Sequence, residues 1–115
     1  MKTVVIWLSY DLGVGGDYQN LYAWLDSHEA TECGPNLAYI KIQIPDNVKT
    51  DENLVTFLQA EILSTVEIKP GNRIYAIRES LDIDNSKSRG SFIFGKRKAS
   101  LWTGFSTEKD DHIDQ

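Results

Sequence analysis

The sequence predicts an α+β domain: an antiparallel sheet with two helices on one face and an additional C-terminal strand. Three observations lead there. The chain opens on a run from Val4 to Leu12 in which apolar residues alternate. Two later segments carry apolar residues at helical spacing. The turn pair Gly34-Pro35 joins two β-patterned runs with too little chain between them for a parallel crossover.

In the opening run Val4, Ile6, Leu8 and Tyr10 fall on one face and Val5, Trp7, Ser9 and Asp11 on the other. Asp11 therefore ends a strand on the side away from the expected core. Gly13-Val14-Gly15-Gly16 follows, and Asp17 can cap the free N–H groups of a first helix. Tyr18, Leu21, Tyr22 and Leu25 form its apolar stripe, and the helix is expected to end near Ser27 or His28. Ala30 to Cys33 and Leu37 to Ile44 read as strands; in the second, Ala38, Ile40, Ile42 and Ile44 alternate with Leu37, Tyr39, Lys41 and Gln43. Thr50 is placed to cap a second helix with Leu54, Phe57, Leu58 and Ile62 on its apolar face. Pro70-Gly71-Asn72 is a turn, and Arg73 to Glu79 is a fourth strand. A loop rich in Asp, Asn, Ser and Lys, Asp82 to Gly90, leads to a fifth strand at Ser91 to Gly95.

The order β-α-β-β-α-β is the split pattern of the ferredoxin-like fold, which leaves one sheet face open. Val5, Trp7, Tyr39 and Lys41 are expected there. Exposed apolar surface of this kind marks an interface, so Val5, Trp7, Tyr39, Phe92 and Phe94 are the expected contacts of a homodimer pairing sheet against sheet. Two alternatives stay open: a surface on which bases stack, and coverage by the chain's own Phe92 to Phe105 segment.

The 115 residues fit one domain at 1–107, followed by an acidic and expectedly disordered tail at 108–115. Hydrophobic residues at 41% and charged residues at 25% argue against disorder and fibrous classes. No apolar run approaches the ~20 residues of a membrane helix, and the N-terminus lacks a secretory pattern; a cytoplasmic protein without membrane partners is expected. Cys33 is the single cysteine, which excludes an internal disulfide and a multi-cysteine zinc site.

The formal net charge of −5 would count against nucleic acid, yet its distribution is uneven. Lys87, Arg89, Lys96, Arg97 and Lys98 lie in a stretch without acids, whereas Glu108, Asp110, Asp111 and Asp114 crowd the end. The basic stretch is either a solvated hairpin or a phosphate-contacting surface. Gly13-Val14-Gly15-Gly16 does not complete a dinucleotide-binding loop, because the third glycine would fall at Tyr18. Arg89 to Phe94 is a poor RNA-recognition strand, since Ser91 stands where an aromatic is needed. His28 and His112 read as surface residues.

The run Leu8-Ser9-Tyr10-Asp11-Leu12, with Gly16-Asp17-Tyr18-x-x-Leu21-Tyr22-x-x-Leu25, resembles the start of the CRISPR-associated endoribonuclease and adaptor family (Cas-two-like). Ser100-Leu101-Trp102-Thr103-Gly104-Phe105 is similar to an ending found in an uncharacterised branch of that group, and the virulence-associated protein D toxins share the architecture. The resemblance implies a homodimer whose two Asp11 carboxylates share Mg²⁺ or Mn²⁺ in metal-dependent endonuclease chemistry on RNA or DNA, with Ser9 positioning the phosphate. Mg²⁺ takes one or two carboxylates and keeps several waters, so two chains can supply what one Asp cannot. The residues alone leave other roles open. Asp11 can simply cap the glycine loop, and the chain can be a non-catalytic nucleic-acid adaptor or a regulator that binds protein through its sheet edge or acidic tail.

Overall fold

A computed structural model describes residues 1–82 and 87–106; the tail at 108–115, with His112 and its acids, lies outside the described residues. The elements are β1 (Lys2–Asp11), α1 (Tyr18–Ser27), β2 (Thr31–Gly34), β3 (Leu37–Ile44), α2 (Asp51–Leu63), β4 (Arg73–Glu79) and β5 (Ser88–Phe94). They form an α+β architecture with one five-stranded sheet in the order β2-β3-β1-β4-β5, every neighbouring pair antiparallel. β5 begins at Ser88 rather than Ser91. Ser88, Arg89 and Gly90 have little intrinsic preference for a strand, but pairing with Glu79, Arg78 and Ile77 imposes it.

One sheet face is dry. Val4, Ile6, Leu8 and Tyr10 of β1, Ala38 to Ile44 at alternate positions of β3, and Ile74 and Ala76 of β4 are buried against both helices in one cluster. Helix α2 contributes Leu54, Leu58 and Ile62, with Phe57 half-buried beside them. In α1 the buried residues are Leu21, Trp24 and Leu25. Tyr22, expected in the stripe, is exposed, because rotating the helix to bury the larger Trp24 removes more apolar area from water. Tyr22 instead meets the rings of Tyr10 and Tyr18.

Both helix starts follow the expected capping logic. Asp17 accepts from the Asn20 N–H at 3.3 Å and from the Glu67 N–H at 2.8 Å. The Glu67 N–H above all, then Asn20, holds its carboxyl below the usual range. Thr50 Oγ1 accepts from the Asn53 N–H at 3.0 Å. Thr50→Ala is expected to lower stability by about 1 kcal/mol, read as a shifted urea midpoint at unchanged slope; an unshifted midpoint would show the cap to be energetically idle.

A buried ionic network was not foreseen. Arg78 shares the dry face of β4 with Ile74 and Ala76, and only 3% of it is exposed. Its guanidinium lies 3.4 Å from Asp51 Oδ1 and donates to the Ser91 hydroxyl at 2.9 Å and the Arg89 carbonyl at 3.3 Å. Asp51, in the first turn of α2, also accepts from the Ser80 hydroxyl at 2.6 Å and the Leu81 N–H at 3.0 Å. The network ties the start of α2 to the adjacent strands β4 and β5.

Candidate functional site: the open sheet face

The other sheet face carries the second half of each strand's alternation. Register aligns its side chains in rows. Tyr39, Trp7 and Ile77 sit opposite one another on β3, β1 and β4; Ser9, Tyr75 and Phe92 make the next row; Asp11 and Arg73 make the last. Val5, Trp7 and Ile77 are each about 40% exposed. Trp7 meets Tyr39 edge to face with centroids 4.9 Å apart, and Tyr75 meets Phe92 likewise at 4.8 Å. Such pairs fix ring orientation beyond what area burial alone would do.

Two glycines shape this surface. A Cβ on Gly90 would lie 2.1 Å from the Tyr75 hydroxyl oxygen, so the Tyr75 ring lies across β5 only because nothing projects from that position. Gly95 turns the chain after β5 at φ 79°, and a Cβ there would come within 2.5 Å of the Asn72 carbonyl oxygen and 2.7 Å of Arg73 Cγ. That close approach brings the following segment over the end of the sheet. The result is an open depression of about 280 Å³ lined by Ser9, Asp11, Arg73, Tyr75, Phe92 and Arg97.

Asp11 is exposed at the strand end, as the alternation predicts. Its Oδ1 accepts from the Gly13 N–H at 3.0 Å, so it does cap the glycine loop, and its Oδ2 lies 3.8 Å from the Arg73 guanidinium. Asn72 supports the row by donating from Nδ2 to the Leu12 carbonyl at 3.0 Å, tying the end of β1 to the start of β4. Within one chain this donor set does not fit a divalent cation. One carboxylate oxygen is engaged by an N–H and the other faces a guanidinium, and no group of three or more His, Cys, Asp or Glu side chains occurs among the described residues.

The five cations of the basic stretch do not form one surface. The Arg89 guanidinium lies 3.2 Å from Asp51 and 3.4 Å from Asp82, committed to internal carboxylates. Arg97 enters the depression, Lys96 and Lys98 are exposed beyond β5, and the Lys87 carbonyl accepts from the Ser80 N–H at 2.9 Å. Of the expected interface residues, Val5, Trp7, Tyr39 and Phe92 share the open face. Phe94 packs against the core instead, since the register shift between Ile74 and Tyr75 breaks the alternation on β5.

The chain's own end does not cover the face among the described residues: Val5 and Trp7 stay partly exposed, and Leu101, Trp102 and Phe105 are themselves exposed. His28 sits apart, its Nδ1 2.9 Å from the Trp24 carbonyl and its ring against Trp24. Cys33 is exposed and free. No helix among the described residues is long and apolar enough to cross a membrane. Sequence reasoning missed Arg73 and Tyr75 as site residues, although both share the parity of Ile77 on β4 and pair with Asp11 and Ser9. No family model, curated protein or solved structure matches this chain.

Proposed function

We propose that the protein is a Cas-two-like, ferredoxin-like homodimer that associates with nucleic acid through its open sheet face, as a non-catalytic adaptor. The observation that carries this reading is the meeting of aromatic rings and cations at one end of that surface: Tyr75 and Phe92 beside Arg73 and Arg97. Aromatic faces accept bases without regard to sequence, and guanidinium groups meet the phosphates between them. The partly exposed Val5, Trp7 and Ile77 are the apolar area through which two copies pair.

A second reading is favoured by the exposed position of Asp11 at the end of β1. Two copies that brought their Asp11 carboxylates together would supply the pair that Mg²⁺ or Mn²⁺ accepts, and the chain would be an endonuclease. One experiment separates the readings: purified wild type and Asp11→Ala are incubated with single-stranded RNA and DNA, with Mg²⁺, Mn²⁺ or chelator. The adaptor reading expects no metal-dependent cleavage and binding that weakens steeply with salt in both proteins. Metal-dependent cleavage falling about 100-fold or more in Asp11→Ala would establish the nuclease instead. Absence of oligonucleotide binding at low salt would remove both, leaving a protein-binding regulator.

A further inference from the structure

We propose that the depression lined by Ser9, Arg73, Tyr75, Phe92 and Arg97 is a seat for one nucleoside phosphate unit, the phosphate between the two guanidinium groups and the base against the Tyr75–Phe92 ring pair. The inference rests on the nucleic-acid reading above and gives it a place and a ligand class. Its volume of about 280 Å³ is at the lower end of small-molecule clefts, the scale of one nucleotide rather than a longer ligand.

The charge balance selects an anion. Two guanidinium groups face a single carboxylate, and the Asp11–Arg73 contact at 3.8 Å is too long to be a hydrogen bond. The Arg73 donors are therefore not consumed by Asp11, and its Nε has no hydrogen-bond acceptor. Arg97 has no ion-pair partner among the described residues and reaches the depression because Gly95 turns the chain against Asn72 and Arg73. Planar forked donors match the geometry of phosphate oxygens. Ser9 adds a hydroxyl on the same row as Tyr75.

The aromatic half selects what accompanies the phosphate. Tyr75 and Phe92 meet edge to face, which leaves ring surface turned to the depression. A base can lie there, and a bare phosphate or sugar phosphate would leave that surface unused. The unit can come from a free mononucleotide or from a single strand, and the two sources share this chemistry.

The test uses the full chain with adenosine 5′-monophosphate, adenosine, ribose 5-phosphate and a single-stranded oligoadenylate, read by titration of ¹⁵N-labelled protein including arginine Nε–H signals. Adenosine 5′-monophosphate is expected to shift the Arg73 Nε–H signal and to bind about tenfold more tightly than either adenosine or ribose 5-phosphate. Arg97→Gln is expected to weaken it about tenfold, and Phe92→Leu to weaken it while leaving ribose 5-phosphate unchanged. Arg97 is exposed, so its variant stays folded even if Arg73→Gln does not. Tighter binding of the oligoadenylate than of the mononucleotide would identify a strand as the source, and the reverse a free nucleotide. Oligoadenylate binding that ignores Arg97→Gln and Phe92→Leu would overturn the seat while leaving the nucleic-acid reading intact. Failure of every nucleotide probe to bind would overturn both.

Discussion

Asp51→Ala is expected to destabilise the protein by about 3–5 kcal/mol, a large share of the roughly 5–15 kcal/mol that holds a domain together. The size follows from what is left behind. Arg78 lies inside the sheet–helix layer, and its nearest counter-charge is the Asp51 carboxylate at 3.4 Å. Removing that carboxylate strands a buried guanidinium, and it also leaves the Ser80 hydroxyl and the Leu81 N–H without their acceptor. The melting temperature should fall by roughly 10 °C or more. Exchanging both partners, Asp51→Leu with Arg78→Met, should recover the part of the loss that comes from the stranded charge, because an apolar pair carries no charge to desolvate, while the Ser80 hydroxyl and the Leu81 N–H still lack their acceptor. Urea melts of the single and double variants check this; a single variant within about 1 kcal/mol of wild type would show that the pair is not load-sharing in solution.

The same carboxylate gives a pH dependence. Burial pushes the Asp51 carboxyl up, but the Ser80 hydroxyl, the Leu81 N–H and the Arg78 guanidinium together outweigh it, so the group lies below its ordinary value. A carboxyl depressed by folding contributes stability that is fully present above the unfolded value near pH ~3.9 and is lost as the pH falls through the folded one. Wild type should therefore lose stability steeply below about pH 4. The Asp51→Leu, Arg78→Met variant should show a shallower acid limb.

Trp24→Ala is the second large effect, expected at about 3–5 kcal/mol. Trp24 is buried beneath the sheet together with Leu21 and Leu25, and its removal opens a void that the closely packed layer can only partly close. The other two tryptophans are internal controls. Trp7 lies on the open face against Tyr39, and Trp102 is 73% exposed. Trp7→Ala should cost about 1 kcal/mol, the order of an exposed aromatic pair, and Trp102→Ala should be neutral within about 0.5 kcal/mol. Denaturant unfolding of the three variants is sufficient, and a Trp24→Ala cost no larger than that of Trp7→Ala would contradict the packing described above.

Much of the architecture was legible because it depends on a two-residue period. The alternation of β1 and β3 separates the dry face from the open one without reference to any other part of the chain, and Asp11 falls where that parity puts it. Thr50 and Asp17 were legible as caps because capping is local. What was not legible depends on tertiary pairing. Tyr22 and Trp24 are both compatible with a helical stripe, and only the sheet decides which is buried. Phe94 changes face because of one irregularity in pairing with β4. Arg89 reads as a free cation until the fold brings Asp51, 38 positions away, beside it and turns Asp82 toward it. The Asp11–Arg73 row joins residues more than sixty positions apart, and its only trace in the sequence is the shared parity of Arg73, Tyr75 and Ile77.

The two borders of the sheet differ in what they offer an arriving polypeptide. At one border β2 provides four residues, with a slip in pairing between Glu32 and Gly34 that bends the ribbon; short, kinked and acidic borders resist templating. At the other, β5 provides seven residues beyond which no strand is paired among those described. An extended segment adding by main-chain hydrogen bonding would therefore meet a longer run of unpaired backbone along β5 than along β2.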